Sequence, residues 1–481
     1  MKPTLLSAAL RVSLFVSMLF VASVATAQQD FYSTDLLSPE FHRANRQQLL
    51  KDLPDSSVAV FFATDSKVRS NDTDYLFRQD NAIYYLTGCT EPASALVLLK
   101  TPVTIEGKPV QEILFVMERD PARETWTGRR LGVEGATSRL GVAAAMTSEK
   151  LMPFLDSLLT QNKQFKTLGL MQNMRRGADP NEGLPKLSAD ARALAEKKLI
   201  AVKEVASMVA GMRRVKKPEE LALIKKATEI SLLAHREAIA ACKPDMYEYE
   251  LGALVEYVFK KNGCEYTAYN SIVGAGENSV VLHYETSRKQ MLDGEIIVMD
   301  VAGEYHGYAS DVTRSFPVNG KFSAEQKAIY NLVLAAQDSA IAVCKPGNSL
   351  QSPHAKAVEI ISEGLVKLGL IAKKEEFRRY FMHGTSHPVG LDVHDLGLAT
   401  LKEGQVFTVE PGIYIAAGSP CDKKWWNIGV RLEDVIQVTA DGYINLSGTL
   451  PRKADEIEAL MKSSRSAQPV KKMKRSTASI N

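Results

Sequence analysis

The chain has 481 residues, 45% apolar and 24% charged, with a formal net charge of +3. That length accommodates two or three domains, and the composition is globular, which excludes a disordered or membrane-embedded chain. So small a net charge leaves no electrostatic footprint for nucleic acid as a partner.

The first 27 residues stand apart. Lys2 and Arg11 precede an apolar run over 12–24 that ends at Ala25-Thr26-Ala27. Small residues at positions −3 and −1 predict a signal peptide cleaved after Ala27. The run is short for a bilayer span, so the expectation is an exported protein, periplasmic or secreted, with no integral span once the signal is removed. The residue directly after the cleavage site is Gln28 and not cysteine, which closes the lipoprotein route.

Residues 28–45 read as a lead-in with a helical start. The runs 56–63 (SSVAVFFA), 93–100 (ASALVLLK) and 112–117 (EILFVM) read as strands, and 148–160 and 186–211 as helices. Strands interleaved with helices predict an α/β N-terminal domain over 28–210. The phrases Asp74-Tyr-Leu-Phe-Arg-Gln-Asp80 and Arg123-Glu-Thr-Trp-Thr-Gly-Arg-Arg-Leu-Gly132 lie within it, without catalytic spacing of their own.

From Pro218 the texture changes. Pro218 with Glu219 and Glu220 opens a helix over 218–242, and a second covers 247–262. The stretch 293–316, DGEIIVMDVAGEYHGYASDVTRSF, then runs a β-branched strand into Asp300 and returns through Asp311. A turn centred on Tyr305-His306, with Glu304 facing Gly307, puts Asp300 opposite Asp311, about 5 Å apart at Cβ. Carboxylates that close repel unless they share a proton or a cation. The plainer alternative is one Asp ending a strand and the other in a loop.

Helices are expected again at 323–343 and 352–368, then a second strand pair carrying Glu410 and Glu433. Helix, helix and acidic strand pair, twice over, read as a duplicated unit over 211–462. Between the two acidic pairs, His383-Gly-Thr-Ser-His387-Pro-Val-Gly-Leu-Asp-Val-His394 gathers three of the chain's eight histidines. His394 reads as lying on an apolar strand, and His306 and His354 as surface residues. The tail 463–481 is polar and basic, and is expected to be disordered. The five cysteines are widely spaced with no C-x-x-C, so neither a disulfide framework nor a thiolate zinc site is expected.

Two Asp, two Glu and one His make an oxygen-rich site with one imidazole. It suits two divalent ions of the manganese, cobalt, zinc or iron type. Such a pair would ionise a bridging water near neutral pH and polarise a carbonyl, which implies hydrolysis of an amide or ester. H-E-x-x-H, G-x-S-x-G and P-loop patterns are all missing.

Asp300, Asp311, His387, Glu410 and Glu433, in this order and with these flanks, resemble the metal ligands of the pita-bread metallopeptidases. GYASDVTRSFPVNGKFS, HGTSHPVGLDVHD and TVEPGIYI most resemble the aminopeptidase P group, the Xaa-Pro aminopeptidases. FRQDNAIYYLTG and WTGRRLG resemble that group's N-terminal domain, so the resemblance spans about 40–462. It implies an α/β (α+β) chain, a creatinase/prolidase-like N-terminal domain followed by a pseudo-symmetric pita-bread domain. Usually such a domain holds a Mn²⁺ pair; Co²⁺, Zn²⁺ or Fe²⁺ also suit the ligands.

The resemblance implies roles as well. Asp300 would hold one metal and His387 and Glu410 the other, with Asp311 and Glu433 bridging. Glu410 would also be the general base. His283, His383 and His394 would position the substrate and stabilise the tetrahedral intermediate, with Tyr414 and Arg431 around them. Asp72 and Trp126 match positions near the cleft. The implied partners are peptides with proline second and further copies of the chain, in a dimer or tetramer whose N-terminal domain helps close a neighbour's cleft.

Three departures bear on the substrate pocket: Asp300-Val-Ala-Gly303 in place of Asp-Ala-Gly, Pro388 in place of a bulky apolar residue, and Trp425-Trp426-Asn427 in place of a Gly-rich approach to Arg431. Two other readings stay open. One is a prolidase confined to Xaa-Pro dipeptides. The other is a non-catalytic relative or a metal-free amidinohydrolase of creatinase type, neither of which needs all five candidate ligands.

Overall fold

The computed structural model describes residues 35–171 and 183–467. The predicted signal segment and the tail from 468 onward lie outside the described residues. The helix Ala454–Ala467 runs into what the sequence suggested was tail, and Ile457 and Met461 on it are buried. No helix among the described residues is long and apolar enough to cross a membrane.

The run Ser57–Phe62 is apolar at every position because the strand is covered on both faces. Val58 and Val60 face one cluster with Leu155 and Leu158, whereas Ala59 and Phe61 face another with Phe41 and Leu49. Each of the larger of these side chains, fully buried, contributes about 1.5–3 kcal/mol. The strand lies inside a six-stranded sheet, ordered Ala144–Thr147, Lys108–Val116, Ala95–Ile105, Ser57–Phe62, Thr167–Leu170, Ala201–Glu204. Its three middle strands pair antiparallel, and the outer ones join in parallel.

The single helix expected over 186–211 is two, Gly183–Lys197 and Ala206–Arg213, separated by the edge strand Ala201–Glu204. Leu199 turns the chain with φ +57° and is 96% exposed, after which Ile200 is buried. The short strand Ala-Val-Lys-Glu has too few residues to declare a period of two between helical flanks.

The second half follows the expected repeat. Helices Pro218–Ala241 and Glu248–Lys261 pack together and precede the sheet Ile272–Ala275, Ile296–Asp300, Thr313–Pro317. Helices Ala324–Ala342 and Ser352–Lys367 pack likewise and precede the paired strands Val406–Val409/Asp434–Val438 and Gly412–Ile415/Ile428–Arg431. Helix starts are specified locally: Ser323 caps Gln326 while Gln326 answers on Ser323, and Glu220 accepts from the Lys217 amide. One face of the N-terminal sheet shares its apolar cluster with this half, so the two halves are joined through a common core.

The acidic hairpin differs from its expected register. Asp300 lies opposite Thr313, and the tight hairpin pairs Glu304 with Ala309 and Tyr305 with Tyr308. Its turn residues are His306 (φ +48°) and Gly307 (φ +82°), the two positive dihedrals of a type I′ turn. Gly at the second turn position sets this register, one residue later than a turn on Tyr305-His306. Asp311 therefore becomes a diagonal neighbour of Asp300 on the same face, still within reach. In the other half, the pairs Val409↔Asp434 and Gly412↔Arg431 share one register, and extending it through the break puts Glu410 opposite Glu433.

Candidate metal centre

Asp300 ends the strand Ile296–Asp300, and Asp311 lies in the connection just before the neighbouring strand Thr313–Pro317, as in the plainer of the two expectations. Both point at one phenol. Tyr269 Oη lies within hydrogen-bond distance of both, 2.5 Å from Asp300 Oδ1 and 2.7 Å from Asp311 Oδ1, with one proton to share between them. The segment carrying His387 is stitched along the strand Val406–Val409: Thr408 N–H donates to His387 O at 2.9 Å, Glu410 N–H to Thr385 O at 2.8 Å, and Pro388 bridges to Phe407. That stitching holds His387 Nε2 3.3 Å from Asp311 Oδ2 and 3.8 Å from Glu410 Oε1. Asp311, His387 and Glu433 each offer a ligand atom within 4.8 Å of the others. Glu433 is further held by the Thr313 hydroxyl at 2.7 Å.

Burial pushes Asp311 and Glu433 well above the usual carboxylate range, and the neighbouring carboxylates push the same way. Glu410 is pushed up to about 8 by burial and then by Glu433. Four carboxylates gathered in a buried pocket are poor company for one another without protons or cations. Oxygen donors with one imidazole fit divalent ions of the manganese or zinc kind. The donor set therefore fits the metals that the sequence implied.

A second chain of contacts adjoins the first. Arg431 Nη2 donates to Asp300 Oδ2 at 2.6 Å, Arg431 Nη1 to Tyr414 Oη at 3.0 Å, and Tyr414 Oη lies 2.9 Å from His383 Nε2. His383 Nδ1 is 2.6 Å from Gly384 O, so Nδ1 carries the proton and Nε2 accepts from the phenol. Burial, then the Arg431 charge, lowers His383 to about 4. Its imidazole is neutral at neutral pH, 3.7 Å from Glu410 Oε2. The arrangement can move protons between neutral imidazole, carboxyl and phenol while Arg431 supplies fixed positive charge.

His394 and His283 stand at the exposed side. The His394 ring lies 3.9 Å from that of His387, centroid to centroid, and His283 is electrostatically coupled to His383 and His394. His394 lies in a bend rather than on a strand, because Gly390 N–H bonds to Asp392 O and closes a local turn. Asp72 sits in the exposed connection between Val68–Ser70 and Thr73–Asp74, and Trp126 is 89% exposed on Pro121–Thr127; neither bonds to the cluster among the described residues.

Two histidines read as surface residues are not. His306 is buried, its ring nitrogens 2.6 Å from Glu265 and 2.7 Å from Asp35, because the type I′ turn tucks it between two acids distant in sequence. His354 is half-buried and bonds Thr385 Oγ1 at 2.9 Å, beneath the His383–His387 loop. The residue that sequence reasoning missed is Tyr269, in Tyr266-Thr-Ala-Tyr-Asn, where no spacing marks it. None of the five cysteines, all among the described residues, is in a disulfide, and only Cys421 is not buried.

Residues 222–440 match the model of metallopeptidase family M24, and residues 42–167 that of the aminopeptidase P N-terminal domain. The chain is 36% identical over 457 residues to the Xaa-Pro aminopeptidase of Escherichia coli (strain K12), covering 90% of this chain and 99% of that one. The proline aminopeptidase P II of Yersinia pestis superposes with a TM-score of 0.82 at 35% identity, covering 89% of this chain and 100% of that one. Zinc-substituted E. coli aminopeptidase P in complex with product gives a TM-score of 0.82 at 36% identity, covering 89% and 99%. The fold is thus an aminopeptidase P N-terminal domain followed by a pita-bread domain, and the chain belongs to metallopeptidase family M24 in its aminopeptidase P group.

Proposed function

We propose that this protein is a metal-dependent Xaa-Pro aminopeptidase, which removes the first residue of a peptide whose second residue is proline. The observation that carries the reading is the convergence of Asp311, His387 and Glu433, with Glu410 3.8 Å from His387 and Asp300 tied to Asp311 through Tyr269. In this reading Asp300, Asp311, His387, Glu410 and Glu433 would together hold two divalent ions. Mn²⁺ is the proposed metal. Divalent ions held there polarise a carbonyl and make water acidic near neutral pH.

The chain's own residues do the rest. Glu410, ionised once metal is bound and 3.8 Å from His387 Nε2, takes a proton from the attacking water and passes it to the leaving nitrogen. Proline's nitrogen carries no N–H to orient the bond, so the exposed His394 and His283 grip the substrate through its carbonyls instead. His383, whose one ring proton is bonded to Gly384 O, orients the Tyr414 phenol beside Arg431, and the guanidinium supplies the fixed positive charge that offsets a tetrahedral oxyanion. Export through the leader ending at Ala27, and assembly as a dimer or tetramer, belong to the same proposal.

Chelator-stripped protein should release the first residue of an Arg-Pro-Pro tripeptide only when Mn²⁺ is restored, as read by mass spectrometry. Cleavage confined to an Xaa-Pro dipeptide would shift the reading to prolidase. No cleavage of either, with metal bound, would overturn it.

A further inference from the structure

The segment Asp74-Tyr-Leu-Phe-Arg-Gln-Asp80 has no catalytic spacing, yet one of its side chains reaches both halves of the metal centre's scaffold. Arg78 Nε lies 2.9 and 2.8 Å from the two carboxylate oxygens of Glu304, on the hairpin between Asp300 and Asp311. Its Nη2 donates to Leu391 O at 2.8 Å, in the loop between His387 and His394. Asn81 Nδ2 donates to the same carbonyl at 3.2 Å, and Arg78 Nη1 bonds Asn81 Oδ1 at 2.9 Å.

The base of this reach is braced. Gln79 Oε1 accepts from the Thr64 and Asp80 amides, Gln79 Nε2 donates to Glu91 O, and Asp80 caps the helix Asn81–Thr87. From that helix Tyr84 Oη donates to His306 O at 2.9 Å. Among the described residues the hairpin and the loop share one backbone bond, Ala309 N–H to Gly390 O. The far end of the loop is held by Arg213, which donates to Asp392 and Asp395, and by Lys216 on Asp395.

We propose that Arg78 is a positioning residue: a side chain of the N-terminal half that locks the 300–311 connection to the 387–394 loop and so sets where Asp311, His387 and His394 stand. A guanidinium suits the task, since its rigid planar fork holds the carboxylate and the carbonyl in fixed relative directions, whereas an ammonium is a point charge on a flexible stem. The activity readout below rests on the proposed peptidase function; the exchange readout does not.

Removing Arg78 alone strands the buried Glu304 carboxylate, so the informative variant is Arg78→Met with Glu304→Met, which removes both charges. It should keep the wild-type melting temperature and metal content. Its kcat on the Arg-Pro-Pro tripeptide should fall roughly ten- to hundredfold, with KM within about threefold of wild type. The Ala309 and Asp395 amides, which bond Gly390 O and Pro388 O, should exchange hydrogen faster. Wild-type kcat and exchange in that variant would overturn the proposal. Should the double variant not fold, Arg78→Lys keeps the charge beside Glu304 but not the fork; the same losses are expected, and wild-type behaviour again overturns it. If the wild-type protein cleaves no Xaa-Pro peptide, the functional reading fails, while exchange at Ala309 and Asp395 still decides the role of Arg78.

Discussion

Tyr269 Oη lies 2.7 Å from Asp311 Oδ1 and 2.5 Å from Asp300 Oδ1, so one phenol proton serves both aspartates. Burial, reinforced by both aspartates, raises Tyr269 well above the ordinary phenol range, so the group stays a donor at every working pH. Partners that orient metal ligands typically matter ten- to hundredfold, roughly, in metal affinity. Tyr269→Phe should weaken Mn²⁺ binding by about that factor while the melting temperature of the metal-loaded protein changes little. Competition against a fluorescent chelator measures it, and unchanged affinity would remove Tyr269 from the site.

Metal loading should expel protons. Glu410 moves from 4.5 to about 8 in the metal-free pocket, and Asp311 and Glu433 are raised as well. Metal ligands must be deprotonated, so Mn²⁺ affinity should climb with pH up to about 8. Calorimetry in buffers of different ionisation enthalpy should report net proton release at pH 7; a buffer-independent heat would contradict it.

The same raised carboxyl makes a stability prediction. A folded-state value above the unfolded one stabilises the fold fully below pH 4.5, and that contribution is lost as pH rises through about 8. Metal-free protein should therefore lose melting temperature between pH 5 and 8 more steeply than metal-loaded protein, in which the carboxylates are already ionised. Parallel slopes in a thermal-shift titration would count against it.

Arg314 and Asp434, both fully buried and 2.8 Å apart, tie the two halves together beside the site. Burial alone would raise Asp434, but Arg314 and Arg452 hold it below its ordinary value. Arg314 Nη1 also donates to Thr313 O at 2.9 Å and Glu433 O at 2.8 Å. Asp434→Asn leaves the guanidinium without its counter-charge and should cost about 3–5 kcal/mol, read by chemical denaturation. A loss under about 1 kcal/mol would mean that the pair is solvated.

Much of this was legible in the sequence because carboxylates that end β-branched strands announce themselves locally. Asp300 and Glu410 are such cases, and the repeat of helix, helix and strand pair placed them in equivalent halves. The hairpin register was not legible in the same way. It depends on which of two adjacent pairs forms the turn, and His306-Gly307 wins because Gly accepts a positive φ. The helix expected over 186–211 failed because four strand residues carry too little pattern against helical neighbours. Tyr269, Arg78 and the burial of His306 were illegible for a different reason: their partners come from remote chain segments, as with Arg78 and Glu304 or His306 and Asp35. Such contacts exist only once the fold has formed.

The measurement that tests the central claim most directly is anomalous diffraction from crystals of the manganese-loaded protein. Two peaks roughly 3.5–4 Å apart should lie between Asp311 and Glu433, one beside Asp300 and the other beside His387 and Glu410. A single peak, or none within reach of these five side chains, would contradict the two-metal account.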